Sequence, residues 1–125
     1  MTKSEVAKQY IHHLDQGNIA HVIALFAKDG QVHSPIYGIQ PAREFYTALS
    51  NDTTSSELHL DGIFEESQAN RLALYFTYHW TLKSGESVTF EVVDIITFNA
   101  MNQITTLKII YDTHITRQLV EKLKK

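Results

Sequence analysis

The sequence predicts a single α+β domain in which three N-terminal helices pack on one face of a mainly antiparallel sheet. Apolar residues recur at three- and four-residue spacing up to about residue 50, and from Glu57 onward the spacing changes to two. Helices first and strands afterwards is the order of an α+β fold with the helices gathered on one side of the sheet. A length of 125 residues, with 43% hydrophobic and 20% charged residues, suits one folding unit spanning 1–125 rather than two domains or a disordered chain.

In residues 4–15, Val6, Ala7, Tyr10, Ile11 and Leu14 form one helical stripe, which Gly17 ends. Asn18 is the expected N-cap of a second helix carrying Ile19, Val22, Ile23 and Phe26, stopped at Lys28-Asp29-Gly30. Residues 31–39 read as a short extended stretch with Pro35 and Gly38 as turn signals. Pro41 suits the first turn of a third helix, where its missing N–H costs nothing, and Phe45, Ala48 and Leu49 mark the buried side. Residues 52–56 read as a polar linker. Four long strands follow as a meander: about 57–65, 71–82, 87–98 and 104–115, joined by turns at 67–70, 83–86 and 99–102. A last short helix is expected to reach Lys125, whose neighbours Lys122 and Lys124 complement the negative C-terminal end of its dipole.

The pleat sorts the strands into two faces. Leu72, Leu74, Phe76, Tyr78, Trp80 and Leu82 share one side with Val88, Phe90, Val92, Ile96 and Phe98 and with Leu107, Ile109, Tyr111 and Ile115, and Asp94 alone breaks this apolar row. The opposite side mixes Thr77, His79 and Glu91 with Tyr75, Val93, Ile95 and Ile110. Apolar residues in neighbouring strands of an outer face predict a homodimer that buries part of it, the alternative being a partly apolar sheet left in solvent.

Charge and composition narrow the function classes. A net charge of -3 gives no basic patch to release counterions from nucleic acid. With no cysteine, disulfides and thiolate metal sites are excluded. Of the seven histidines only His12 and His13 are adjacent and none has a helical i, i+4 partner, so neither zinc nor another cofactor is expected. The N-terminal residues lack a basic stretch followed by an apolar one and no apolar run reaches membrane-spanning length, so a cytoplasmic location without membrane contact is expected.

The strings KQYIHHLDQGN, VIALFAKDGQVHSPIYG, PAREFYTAL and VVDIITFN resemble, in order and spacing, the ketosteroid isomerase and SnoaL-like (polyketide cyclase-like) branch of the NTF2-like superfamily over nearly the whole chain. That resemblance implies a cone-shaped, cystatin-like fold, its helices held in a strongly curved sheet around an apolar pocket. In the isomerase a tyrosine of the first helix and a protonated aspartate of the sheet hydrogen-bond the oxygen of an enolate. The matching residues are Tyr10 and Asp94. A carboxyl among Tyr78, Trp80, Phe90, Val92 and Ile96 resists ionisation and can donate its proton to a carbonyl. The family's general base, an aspartate after the first short strand, corresponds to Ser34, whose hydroxyl is far too weak a base near neutral pH. Steroid isomerisation itself is therefore not expected. His33 has a suitable intrinsic pKa for a replacement base, although strand alternation aims it away from Ser34.

Leu14, Phe26, Ser34 and Phe45 are expected to line the pocket from the first half of the chain, and Tyr78, Trp80, Phe90, Val92, Leu107, Ile109 and Tyr111 from the sheet. Asp112 and His114, two apart in IIYDTHITR, share one face of an extended strand and suit a surface or dimer contact better than an acid–base pair. Two function classes stay open. One is an isomerase- or cyclase-type enzyme acting on a small hydrophobic carbonyl compound through Tyr10 and Asp94. The other is a non-catalytic dimer that binds a hydrophobic molecule or a protein partner, with Asp94 then held by Tyr10 or another phenol as a structural acid.

Overall fold

A computed structural model describes residues 1–124. The elements run α1 (Lys3–Asp15), α2 (Ile19–Ala24), β1 (Phe26–Ser34), β2 (Gly38–Pro41), α3 (Ala42–Asn51), β3 (Thr53–Glu65), β4 (Arg71–Leu82), β5 (Ser87–Phe98), β6 (Ile104–Ile110) and α4 (His114–Leu123). A reciprocal cap starts α1: the Glu5 amide donates to the Thr2 hydroxyl at 3.1 Å, and the Thr2 amide to the Glu5 carboxylate at 2.9 Å. Its stripe of Val6, Ala7, Tyr10, Ile11 and Leu14 is buried. Gly17, at φ +73°, takes the left-handed turn that separates α1 from α2.

The six strands form one curved sheet in the order β2-β1-β6-β5-β4-β3. β1 lies parallel to β6, and the other neighbouring pairs are antiparallel. Register shifts at Thr53/Ser55 and Leu60/Gly62 of β3 let this long edge strand bend with the sheet. The α+β class, the three N-terminal helices and the mainly antiparallel meander are as the sequence predicts, and β4 and β5 have the expected bounds.

Four expectations are corrected. Phe26 ends no helix but opens β1, because its backbone pairs with Ile104 of β6 and the Ile104 amide donates to Leu25 at 3.0 Å. Lys28-Asp29-Gly30 consequently lies inside β1 and stops nothing. The 52–56 linker is mostly strand, since Thr53, Ser55 and Ser56 pair with Leu82, Thr81 and Trp80. β6 ends at Ile110, so Ile115 belongs to α4 and is 49% exposed instead of continuing the inner row. α4 itself ends at Leu123, and Lys125 lies outside the described residues.

The rest of the inner row joins one core with the buried residues of α1 and α3, with Val88, Phe90, Ile109 and Tyr111 only half-buried. α1 is further tied to the sheet where the Leu58 amide donates to Asp15 at 2.8 Å. Among the described residues no helix is long and apolar enough to cross a membrane.

Gly30 of β1 lies close against β6. A β-carbon there would lie 2.8 Å from the Ile104 carbonyl oxygen and 3.0 Å from both the Ala27 carbonyl oxygen and the Phe26 ring. Backbone oxygens cannot swing aside, so Gly30→Ala is expected to cost about 1–3 kcal/mol through strain. Urea unfolding checks this, and a change below about 0.5 kcal/mol would show that the two strands can separate without penalty.

Candidate functional site

The pocket forms where the inner row of β4, β5 and β6 faces α1 and α3. Tyr10 projects from the middle of α1 and is 2% exposed. Its hydroxyl meets that of the fully buried Tyr46 of α3 at 2.6 Å, either oxygen being able to donate. Tyr46 is held edge-on by Phe45, ring centroids 4.8 Å apart, and packs on Phe26 at 5.7 Å. It thus backs Tyr10 on the side away from the cavity. If Tyr46 donates to Tyr10, the Tyr10 proton is free for a guest.

Asp94 stands in the centre of β5 with Leu74 and Ile109 as cross-strand neighbours and is 1% exposed. Neither carboxyl oxygen has a hydrogen-bond partner. Tyr10 pairs with Tyr46 instead, so the acid is not a phenol-held strut. Burial pushes the Asp94 carboxyl well above the usual carboxylate range, since no cation or donor compensates the charged form. Burial likewise raises both phenols, and the nearby carboxyl adds to the rise. The group of three is therefore uncharged near neutral pH and offers protons.

The cavity beside Asp94 is lined by Tyr10 and Leu14 of α1, Ser34 and Tyr37 of the β1–β2 hairpin, Phe45 and Leu49 of α3, and Phe76, Tyr78, Trp80, Phe90, Val92, Ile109 and Tyr111 of the sheet side. The centre of a water molecule can move through about 50 Å³ of it, room for only a few waters. Three of its polar side chains are already engaged. The Tyr37 hydroxyl donates to Asp52 at 2.5 Å, the Trp80 indole to Thr53 at 2.8 Å, and the Tyr78 hydroxyl pairs with Ser56 at 2.9 Å. Burial lifts the Tyr78 and Tyr111 phenols to about 12, so these also stay neutral. Among the described residues no lysine, arginine or histidine lines the space.

The structure brings Tyr10, Asp94, Ser34, Leu14, Phe45, Tyr78, Trp80, Phe90, Val92, Ile109 and Tyr111 to one cavity. It leaves three expected residues out. Phe26 and Leu107 are buried core, Phe26 with its ring turned onto Tyr46 and Leu107 beside the fully buried Val32 in the parallel ladder. His33 is on the other face of β1 from Ser34, opposite Ile39, and does not line the cavity. Asp112 and His114 lie beyond the end of β6, so they share no strand face. Both are exposed, and the Asp112 carboxylate accepts the His114 backbone N–H at 3.1 Å to open α4. Tyr46, Tyr37, Leu49 and Phe76 are site residues that sequence reasoning missed. The spacing Ala42, Phe45, Tyr46, Leu49 is the i, i+3, i+4, i+7 stripe that carried the signal for Tyr46.

A sheet curled over α1 and α3, with an apolar cavity between them, defines a protein of the NTF2-like class. Residues 7–106 match the SnoaL-like domain family, to which the chain belongs. Among solved structures it is similar to an NTF2-like protein of unknown function from Burkholderia pseudomallei, at 18% identity and a TM-score of 0.82, covering 96% of this chain and 98% of that one. TerC, co-crystallised with polyporic acid, is 17% identical with a TM-score of 0.81 over 95% and 98% of the two chains. SalBIII, an epoxide hydrolase/cyclase-like enzyme in pyran ring formation in the polyether salinomycin, is 12% identical with a TM-score of 0.78 over 92% of each. No curated protein matches the sequence.

A buried, unpartnered acid should cost stability. Asp94→Leu is expected to stabilise the fold at pH 7 by about 1–3 kcal/mol, the order of an unmet buried hydrogen-bonding group. The folded-state pKa is raised, so the native state holds its proton where the unfolded chain, with a pKa of about 3.9, has lost it. Stability of the natural chain relative to the variant therefore falls as pH rises above about 4 toward the folded pKa, and is greatest below it. Chemical unfolding of both proteins between pH 3.5 and 8 checks the sign. A gap that widened toward low pH would mean the carboxyl is ionised when folded.

Proposed function

We propose that this protein binds a small, hydrophobic, uncharged carbonyl compound in the Asp94 cavity and acts on it as an isomerase- or cyclase-type enzyme, with Tyr10 and Asp94 donating to the oxygen that gains negative charge. One observation carries the reading: both oxygens of Asp94 are buried without a partner on an apolar wall beside Tyr10. A group that costs the fold stability and makes no internal bond is suited to a bond with a guest. Donors fixed in advance around a developing oxyanion each contribute on the order of 10²–10³ in rate.

The resident groups favour acid-side chemistry. His33 is turned out of the cavity, and the Ser34 oxygen already accepts the amides of Ile36 and Tyr37 at 3.2 and 3.1 Å. Neither is placed to take a proton from carbon. Polarising a carbonyl for attack by a hydroxyl within the same molecule needs no such base at the outset, and ring closure is a reaction of that kind. The cyclase-like description of SalBIII is in keeping with it. The test uses 1-tetralone, a bicyclic monoketone, and naphthalene, which lacks the oxygen. Tyr10→Phe and Asp94→Leu are each expected to weaken 1-tetralone about tenfold or more, close to 1.4 kcal/mol per donor, and to leave naphthalene within twofold. The carbonyl carbon of bound 1-tetralone should shift downfield in its NMR spectrum, and less so in either variant. Equal affinity of all three proteins for the ketone would remove the oxyanion site.

The same reading includes a homodimer. Phe64 and Ile110 on the outer face are 61% and 47% exposed, with Ile95 between them and half-buried Val93 beside it. Covering this run against a second copy would take apolar surface out of water. Light scattering at micromolar concentration is expected to give twice the 14.3 kDa chain mass, and Phe64→Asp with Ile110→Asp to return it to one. A single-chain mass for the natural protein would end the dimer.

A further inference from the structure

Among the described residues, Tyr37 is the lining phenol whose proton has a settled direction. Its hydroxyl donates to Asp52 at 2.5 Å, and an ionised carboxylate can only accept. The Tyr10 and Tyr78 hydroxyls instead meet other hydroxyls, of Tyr46 and Ser56, where either oxygen can be the donor. A phenol that gives its hydrogen to an anion gains electron density on its own oxygen and becomes a better acceptor. No donor to that oxygen occurs among the described hydrogen bonds, and the side chain lines the cavity, so a lone pair is left for a guest.

Three contacts hold the ring in place. The Tyr37 amide donates to the Ser34 hydroxyl at 3.1 Å, the ring stands edge-on to Phe45 with centroids 5.6 Å apart, and the hydroxyl ends on Asp52. Asp52 is pinned in turn through its backbone. Its amide donates to the Ala48 and Leu49 carbonyls at the end of α3, at 3.1 and 3.2 Å, and its carbonyl accepts the Lys83 amide at 3.0 Å. The Asp52 carboxylate does not itself line the cavity and meets it only through the phenol. Ser34 and His33 supply no base, but the same hairpin carries this acceptor three residues after Ser34. The open space has room for only a few waters, so a guest filling it touches both Asp94 and Tyr37.

We propose that Tyr37, its own proton held by Asp52, is the proton acceptor of the site and relays the proton of an attacking hydroxyl to Asp52 while Tyr10 and Asp94 hold the carbonyl oxygen. The inference rests on the carbonyl-binding reading above and supplies the base for ring closure. In the step, the guest's hydroxyl oxygen forms a bond to the carbonyl carbon, and the π pair of the carbonyl moves onto its oxygen. The hydroxyl proton passes to the Tyr37 oxygen as the Tyr37 proton passes to Asp52. Asp94 gives its proton to the new alkoxide, so the product is a cyclic hemiacetal or hemiketal of the same composition as the guest. Water returns the proton from Asp52 to Asp94 once the product has left. Tyr37 is at no point a phenolate, in keeping with burial first and the Asp52 bond second holding its proton more tightly than in an ordinary phenol. Tyr37 is the catalytic residue, and Asp52 acts through it.

The probe is 2-(hydroxymethyl)benzaldehyde, an uncharged aromatic aldehyde that closes reversibly onto its own hydroxyl. Saturation transfer in its NMR spectrum reads the exchange between open and cyclic forms at equilibrium. The natural protein is expected to speed this exchange. Tyr37→Phe and Asp52→Asn should each lower the rate constant at saturation about 10²-fold and leave the half-saturating concentration within about twofold. Residues that act as one unit are not additive, so the double variant should be no slower than either single one. Asp52→Glu keeps a carboxylate and should be about tenfold or more faster than Asp52→Asn. Full activity in Tyr37→Phe, losses that multiply in the double variant, or an Asp52→Glu no faster than Asp52→Asn would mean a clamp that only shapes the hairpin, and the proposal falls. It falls as well if the natural protein binds 1-tetralone through Tyr10 and Asp94 but leaves the aldehyde exchange unaltered, an outcome that spares the carbonyl site. If Asp94→Leu and Tyr10→Phe change neither 1-tetralone binding nor the exchange, the carbonyl site itself fails and the relay with it.

Discussion

A carboxyl group buried in apolar surroundings with nothing to bond to is the constraint on which the rest of this structure turns. The helices and the sheet would pack as well, or better, with a leucine at position 94. Every other part of the site is arranged so that this acid keeps its proton and its freedom. Among the described residues no cation lines the cavity to draw the proton off, and the nearest phenols bond to each other or to groups outside. Low dielectric and the missing counter-charge act in the same direction, since each disfavours the anion. The consequence is a donor at neutral pH from a residue that is ordinarily an acceptor.

The tyrosine pair complements it. One phenol on α1 and one on α3 share a hydrogen bond at 2.6 Å inside the core, which fixes the orientation of the Tyr10 hydroxyl without using the acid. Helix packing thereby bears on the site: the edge-on contact of Phe45 and Tyr46 places the phenol that pairs with the Tyr10 hydroxyl. A hydroxyl accepting one hydrogen bond is a stronger donor of its own, so with Tyr46 as the donor the proposed chain from Tyr46 through Tyr10 to a guest would be cooperative.

Much of this was legible in the sequence, and the rest was hidden for definite reasons. The even row of β4 and β5 announces itself because a pleated strand with one buried face must alternate, and an acid in that row is conspicuous. β1 was concealed because Phe26 also completes a helical i, i+3, i+4 pattern with Val22 and Ile23. Only the pairing of Phe26 with Ile104, 78 positions away (104 − 26), decides against the helix, and local spacing carries no trace of it. Once Gly30, Val32 and Ser34 are seen to alternate inward, the strand is plain. Tyr46 was overshadowed by Phe45, its neighbour on the same stripe. Tyr37 could not have been placed at all, since its position depends on a three-residue hairpin turn, 35–37, held by the Ser34 hydroxyl. His33 shows the opposite case, where the pleat alone was enough to turn it away from Ser34.

A site whose free polar atoms are neutral donors treats an oxygen differently at different stages of a reaction. A ground-state carbonyl gains a modest hydrogen bond from Asp94 or Tyr10, no stronger than the one it leaves behind in water. As the oxygen takes up charge, the same bonds become charge-assisted and roughly double in strength, in surroundings where no solvent competes. A lysine or arginine in that place would bind anionic molecules tightly from the start and so spend its attraction on the ground state. On the proposed reading, a lining of neutral donors with no cation from the described residues holds uncharged molecules weakly and stabilises them more as negative charge moves onto oxygen.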